Sequence, residues 1–177
     1  LKTLVQAEAA GSYLAIKGDA LFSGMYLNEL LLRLIAPADP QTLVFAGYQS
    51  ALDELARGEG VEPVLRRFEW LLLEVMGYGF SLIEDASGAP IESDSVYVWQ
   101  AEEGLHRLID AQPDDGRPGL PGAGLLAMAA QDWGSVVALR TAKKLMRQAL
   151  AVHLGSRPLV SRQLFSPPGS IPRGDRS

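Results

Sequence analysis

The sequence predicts a mainly α protein: an antiparallel helical domain with a small β-hairpin insertion, preceded by remnant strands of a β domain. Three observations carry this reading. Apolar residues recur at helical spacing in three consecutive stretches between residues 19 and 77. After Gly79 the pattern changes to short β-branched and aromatic runs separated by Ser, Gly, Pro and Asp turns. Beyond Ser135 a long amphipathic stretch returns and ends at Gly155. At 177 residues, 47% apolar and 21% charged, the chain fits one compact domain. A domain of this size buries ~70% of the surface its unfolded chain exposes, so its core needs no covalent staple.

Residues 3–8 alternate loosely, Gly11-Ser12 reads as a turn, and residues 13–16 form a second extended run. Two short strands are not stable alone. Residues 1–17 are therefore read as the last pieces of a β domain whose start is absent. Asp19 is placed as N-cap of the first helix, where an acid suits the positive end of the dipole. Leu21, Met25, Leu27, Leu31, Leu32 and Ile35 give its apolar stripe, and Pro37 stops it. Pro40 at N1 opens a second helix with Leu43, Phe45, Tyr48, Leu52 and Leu55 inward, ended by Gly58 and Gly60. Glu62-Pro63 opens a third, where Val64, Leu65, Phe68, Leu71, Leu72 and Val75 share one face and Gly77 terminates. Such short connections predict antiparallel neighbours.

Within the insertion, residues 80–110, the runs 80–83, 96–99 and 105–109 read as one hairpin or a pair. Residues 112–124 hold three prolines, four glycines and two aspartates, the composition of a loop. A short helix is expected over 125–131. Ser135 then caps a longer one with Val136, Leu139, Leu145, Met146, Ala149 and Leu150 inward, and residues 159–165 add a further turn. The tail, 166–177, is expected to be disordered.

There is no cysteine, which removes disulfides, thiolate zinc sites, iron–sulfur clusters and cysteine nucleophiles. No run reaches the ~18 apolar residues of a spanning helix, and no signal peptide is visible. Gly122-Ala123-Gly124-Leu125-Leu126-Ala127 matches a Gly-x-Gly-x-x-Ala dinucleotide pattern. Arg117-Pro118-Gly119-Leu120-Pro121 before it cannot be a central parallel strand, so that reading is rejected. Glu84, Asp85, Glu92, Asp94, Asp114 and Asp115 lack the alternation of a calcium loop, and Asp114-Asp115-Gly116 is first a turn. His106 and His153 have no triad or zinc partners nearby in sequence. With no nucleophile elbow, P-loop or metalloprotease helix, the chain reads as a non-enzyme with no cofactor and no metal.

Charge is more informative. Residues 1–132 hold 20 acids and 8 bases, a balance of −12, whereas residues 133–177 hold 8 bases and one acid, Asp175, a balance of +7. Two basic features stand out: Arg66-Arg67 on the third helix, and the run Arg140, Lys143, Lys144, Arg147, Arg157, Arg162. The first four of that run fall at i, i+3, i+4 and i+7, along one helix face. Such a ridge can track phosphates, dock an acidic peptide, or simply be a solvated basic face.

Several ordered motifs make the chain similar to a known family. They are Leu4 through Ala7-Glu8-Ala9, Tyr26-Leu27-Asn28-Glu29-Leu30, and Leu65-Arg66-Arg67-Phe68-Glu69 running to Gly77-Tyr78-Gly79. Thr141-Ala142-Lys143-Lys144 and the segment from His153-Leu154-Gly155-Ser156-Arg157-Pro158 to Gln163-Leu164-Phe165 follow. On these residues the chain resembles the C-terminal part of the bacterial RecO family of DNA repair and recombination mediators. The resemblance implies an N-terminal OB domain, here reduced to its remnant strands, followed by a helical domain over 18–165. Some family members carry a cysteine zinc site after the Gly-Tyr-Gly element. Phe80-Ser81-Leu82-Ile83-Glu84-Asp85 stands there instead, so no zinc is expected.

The resemblance further implies binding of single- and double-stranded DNA, strand annealing, pairing with RecR, and indirect action on RecA. It also implies engagement of the acidic C-terminal tail of the single-stranded-DNA-binding protein, a cytoplasmic and nucleoid-associated location, and no membrane. A tail ending in an apolar residue with a free carboxylate needs a greasy pocket, one arginine and surrounding positive charge. Arg66 is the first candidate and Arg67 the second, with Leu65 as apolar neighbour. The alternative for Arg66 is a structural ion pair with Glu62, Glu69 or Asp53. Arg140, Lys143, Lys144, Arg147, Arg157 and Arg162 are the candidates for DNA or polyanion contact. Asn28 and Glu29 are read as structural, holding the first helix to a neighbour or capping a loop. The rival reading is a protein-interaction module that binds RecR or the acidic tail without DNA contact.

Overall fold

The computed structural model describes residues 15–36, 40–109 and 119–165, with Arg162 given by its backbone alone. The strands expected within residues 1–14, the Asp114-Asp115-Gly116 turn and the tail 166–177 lie outside the described residues. Residues 15–17 have no regular structure. The element order is α1 (Asp19–Leu34), α2 (Thr42–Ala56), α3 (Val61–Val75), β1 (Val96–Gln100), β2 (Gly104–Arg107), β3 (Leu120–Pro121), α4 (Gly122–Ala129) and α5 (Val136–Leu154), closed by a short 3-10 helix, η1 (Ser161–Phe165). The fold is mainly α with a small antiparallel sheet, as the sequence predicts.

Helix α3 packs against α1, α2 and α5, and α4 lies along α5. Leu27 and Leu30 of α1, Phe68, Leu72 and Leu73 of α3, and Leu145, Met146 and Leu150 of α5 join Tyr97, Leu105, Leu120 and Leu125 in one continuous core. Each large side chain fully buried there contributes about 1.5–3 kcal/mol relative to exposure. The Ser135 hydroxyl accepts from the Ala138 amide at 3.4 Å and caps α5, and Gly155 ends that helix at φ 68°.

Several helix details differ from the sequence expectation. Gly18, at φ 58°, occupies the N-cap of α1, with Asp19 already inside the helix. Helix α2 starts at Thr42 rather than Pro40, and its buried residues are Val44, Ala51 and Leu55. Leu43 and Phe45, expected inward, are 67% and 59% exposed, and Leu32 of α1 is 85% exposed. The cause is a small-residue contact: a Cβ on Gly47 would lie 2.2 Å from Leu71 Cδ2, so α2 turns its small face to α3. Val136, in the first turn of α5, is likewise exposed.

The sheet has order β2-β1-β3 and is antiparallel throughout, with Gln100 opposite Gly104 and Tyr97 opposite both Arg107 and Leu120. Residues 80–83 form no strand; a lone bridge joins Glu84 to Pro90. Part of the expected loop 112–124 is instead β3 and the start of α4. Glycines make this possible. A Cβ on Gly122 would lie 1.9 Å from the Glu92 carbonyl oxygen, and one on Gly124 2.0 Å from Thr141 Oγ1. The Gly-x-Gly pattern thus serves close packing of α4 on the sheet and on α5. Among the described residues no helix is long and apolar enough to cross a membrane.

Candidate functional site: a cationic cleft on helix α3

Helix α3 is amphipathic, and its residue Arg66 follows Leu65 on the side facing α1 and α5. The guanidinium is drawn inward by Glu69, one turn later: Arg66 Nη2 lies 3.0 Å from Glu69 Oε1. The Tyr26 hydroxyl of α1 donates to that same oxygen at 2.7 Å. Arg66 is 8% exposed and Glu69 1%, so the pair is buried. One of the structural pairs that the sequence leaves open for Arg66 is therefore present. Within the pair, Arg66 Nε and Glu69 Oε2 are buried atoms with no hydrogen bond among the described residues.

Arg66 lines a cleft of about 470 Å³ between α1, α3, α5 and η1. Val61, Leu65 and Phe165 give it an apolar side, and Lys143 and Arg147 reach it from α5. Asp19 and Glu62 complete the rim. Lys143 Nζ donates to Glu62 Oε1 at 2.7 Å, and both side chains are about half exposed or more. That hydrogen bond holds the Glu62 carboxyl below its ordinary pKa, against the opposing effect of burial and with help from the charges of Lys143 and Arg66. Arg147 is exposed and, among the described residues, has no ion pair.

The structure thus brings Arg66, Leu65, Lys143 and Arg147 together and separates the other candidates from them. Arg67 pairs with Glu54 of α2. Lys144 Nζ donates to the Gly119 carbonyl at 2.7 Å, turned toward the sheet. Arg140 and Arg157 are exposed, and the Arg162 side chain lies outside the described residues. The candidate ridge on α5 is therefore divided between two surfaces.

Sequence reasoning did not single out Tyr26, Glu69 as an anchor within the site, or Phe165. The signals existed: Glu69 stands at i+3 from Arg66, and Tyr26 opens the Tyr-Leu-Asn-Glu-Leu motif.

A second cleft, also about 470 Å³, lies between the β1–β2 hairpin and the end of α5. Its aromatic lining is Phe80, Trp99 and Tyr78, the last stacked on His153 with centroids 3.7 Å apart. Glu84, Asp85, Glu102 and Glu103 supply its charge. Burial pushes the His153 imidazole below its ordinary pKa, which disfavours its cationic form beside them, and His106 Nε2 lies 3.0 Å from Glu103 Oε2. Among the described residues no group of three or more His, Asp or Glu side chains is placed to hold a metal ion.

The fold and the cleft together define a helical domain with a partly apolar cleft rimmed by cations and acids. The family described as "Recombination protein O C terminal" matches residues 17–163. The "DNA repair protein RecO" of Pseudomonas aeruginosa is 51% identical over 174 residues, covering 98% of this chain and 72% of the relative. The proteins of that name from Pseudomonas putida and Stutzerimonas stutzeri are 51% and 50% identical over 166 residues, covering 93% of this chain and 71% and 68% of the relatives. The chain belongs to the RecO family.

Proposed function

We propose that this protein is a non-enzymatic DNA repair and recombination mediator of the RecF pathway. In this reading it holds the acidic C-terminal tail of the single-stranded-DNA-binding protein in the α3 cleft. Basic surfaces meanwhile engage exposed DNA, so that strands anneal or RecA enters with the help of RecR. The single observation that carries the reading is the convergence at one cleft of Arg66, an apolar wall and two further cationic side chains, Lys143 and Arg147. A peptide terminus suits it: the carboxylate meets Arg66, its apolar side chain meets Leu65 and Phe165, and preceding acids meet Lys143 and Arg147.

A second reading, a protein-interaction module without DNA contact in this part of the molecule, is favoured by one observation. Lys143 and Lys144 are engaged by Glu62 and Gly119, so among the described residues only Arg140 and Arg147 of the ridge have neither an ion pair nor a side-chain hydrogen bond. Fluorescence anisotropy separates the two readings. A labelled acidic peptide ending in Pro-Phe and a labelled single strand are titrated against the parent, Arg66→Ala and Arg147→Ala, with melting curves run alongside. The mediator reading expects peptide binding that falls about tenfold in Arg66→Ala, ~1.4 kcal/mol, in a variant that remains folded. It also expects DNA binding whose log–log salt slope is about −0.7 per phosphate contact. Peptide binding without DNA binding selects the module. DNA binding without peptide binding removes the cleft from the account.

A further inference from the structure

One turn of α1 fixes the segment that supplies the cleft's aromatic wall. The Glu29 carboxylate accepts from the Val160 amide at 2.9 Å, the Ser161 amide at 2.8 Å and the Ser161 hydroxyl at 2.6 Å. Those are the free donors at the start of η1, so Glu29 acts across space as its N-cap. Four residues later, Arg33 donates to the carbonyl groups of Leu154, Arg157 and Pro158, the acceptors left open where α5 ends. Glu29 and Arg33 together close both ends of the α5–η1 connection. Buried Leu159 and Ser161 sit between them.

The load they place is Phe165. A five-residue 3-10 helix has little stability of its own. Phe165 nevertheless stands edge-on to Phe22 of α1, with centroids 6.0 Å apart, and lines the cleft opposite Arg66. It is 45% exposed, leaving part of its ring open to contact. Resting on the peptide-binding reading above, we propose that Phe165 selects an apolar terminal side chain in the cleft, and that Glu29 is the positioning residue that holds Phe165 there. Arg66, Lys143 and Arg147 then answer to the ligand's charge, while Glu29 answers only to the apolar character of its last residue.

The test uses the full chain and two labelled acidic peptides that differ only in a terminal Phe or Ala. Anisotropy gives the Phe-to-Ala affinity ratio for the parent, Phe165→Ala, Glu29→Gln and Ser161→Ala, with melting curves for each. An aromatic side chain sheltered by a ring should give the parent a ratio of about tenfold or more. The ratio should fall to about twofold in Phe165→Ala and drop at least ~threefold in Glu29→Gln, which keeps a neutral amide but loses the charge and one acceptor oxygen. Ser161→Ala, missing one of the three bonds, should lie between. Affinity for the Ala-ended peptide should stay within about twofold in Glu29→Gln and Ser161→Ala.

If Phe165→Ala keeps the parental ratio, the selectivity role is overturned. If Phe165→Ala lowers it but Glu29→Gln does not, the positioning role is overturned. Equal weakening of both peptides in Glu29→Gln, with a lowered melting point, assigns Glu29 a purely structural role and also overturns the proposal. A parent that binds neither peptide overturns the peptide-binding reading itself, which is a different result from any of these.

Discussion

The two clefts have nearly the same size, about 470 Å³ each, and different charge: mixed at α3, acidic at the hairpin. The α3 cleft balances Arg66, Lys143 and Arg147 against Asp19, Glu62 and Glu69, yet two of its acids are bound to its own cations. What remains outside those two pairs is the exposed Arg147 on α5 and Asp19 on α1. The hairpin cleft offers four carboxylates around aromatic rings and an imidazole that burial keeps neutral. Net charge alone misses this contrast. The functional quantity is the charge left over after internal pairing: at the α3 cleft one arginine, Arg147, and one acid, Asp19, remain, whereas at the hairpin the carboxylates dominate.

The largest expected effect tests how the α3 cleft is anchored. Glu69→Ala removes the buried counter-charge of Arg66 and should cost about 3–5 kcal/mol, read from denaturant unfolding. A loss under about 1 kcal/mol would show that the pair does not hold the cleft. Next comes Gly124→Ala, whose Cβ would overlap Thr141 Oγ1 at 2.0 Å. Overpacking of that kind should destabilise the α4–α5 contact by about 1–3 kcal/mol, with peptide affinity unchanged because the α3 cleft is elsewhere.

Charge reversal sharpens the comparison directly. Arg147→Glu should weaken acidic-peptide binding several-fold, ~1 kcal/mol, and more so at low salt. Glu102→Lys with Glu103→Lys should leave peptide binding in place and raise affinity for single-stranded DNA modestly by easing repulsion. Equal effects of the two changes on the peptide would erase the distinction between the clefts.

The smallest effect is in pH. The folded-state pKa of His153 lies below 6.5, so in the window just under that value the unfolded chain binds more protons than the folded one. The contribution is present above pH 6.5 and lost as pH falls through the folded value. His153→Gln should flatten that part of the stability curve. Glu29 behaves in the same sense at more acid pH. Burial raises its pKa, but the Ser161 hydroxyl, the Ser161 and Val160 amides and the Arg33 charge outweigh it and hold the carboxyl below 4.5. Its contribution to holding η1 is therefore present above about pH 4.5 and lost below.

Much of the helical framework was legible because the caps and stops are local. Ser135, Gly77 and Gly155 act on the residues beside them, and the α3 and α5 stripes have a clear helical period. The face of α2 was not legible. Residues 42–52 carry no charge, so spacing alone cannot choose between Phe45 and Val44, and the choice falls to Gly47 meeting Leu71. Strand β3 was hidden for a similar reason, since Leu120-Pro121, which pairs with Tyr97 and Val96, is flanked by glycines that read as a loop.

In the site, the α5 spacing puts Arg140, Lys143, Lys144 and Arg147 along one face, but it carries no sign that Glu62 and Gly119 take Lys143 and Lys144. Glu29 was read as a structural residue that caps or holds a neighbour, and it does cap η1. That the cap positions an aromatic wall depends on a contact between residues 22 and 165, which no sequence period reports.

The most direct measurement compares the acidic Pro-Phe peptide carrying a free terminal carboxylate with its C-terminal amide, titrated by anisotropy against the parent chain. If Arg66 receives the terminus, the free acid binds about tenfold or more tightly, a charge-assisted contact of ~1.4 kcal/mol or above. Equal affinity of acid and amide would mean that no terminus reaches Arg66, and it would contradict the assignment of this cleft.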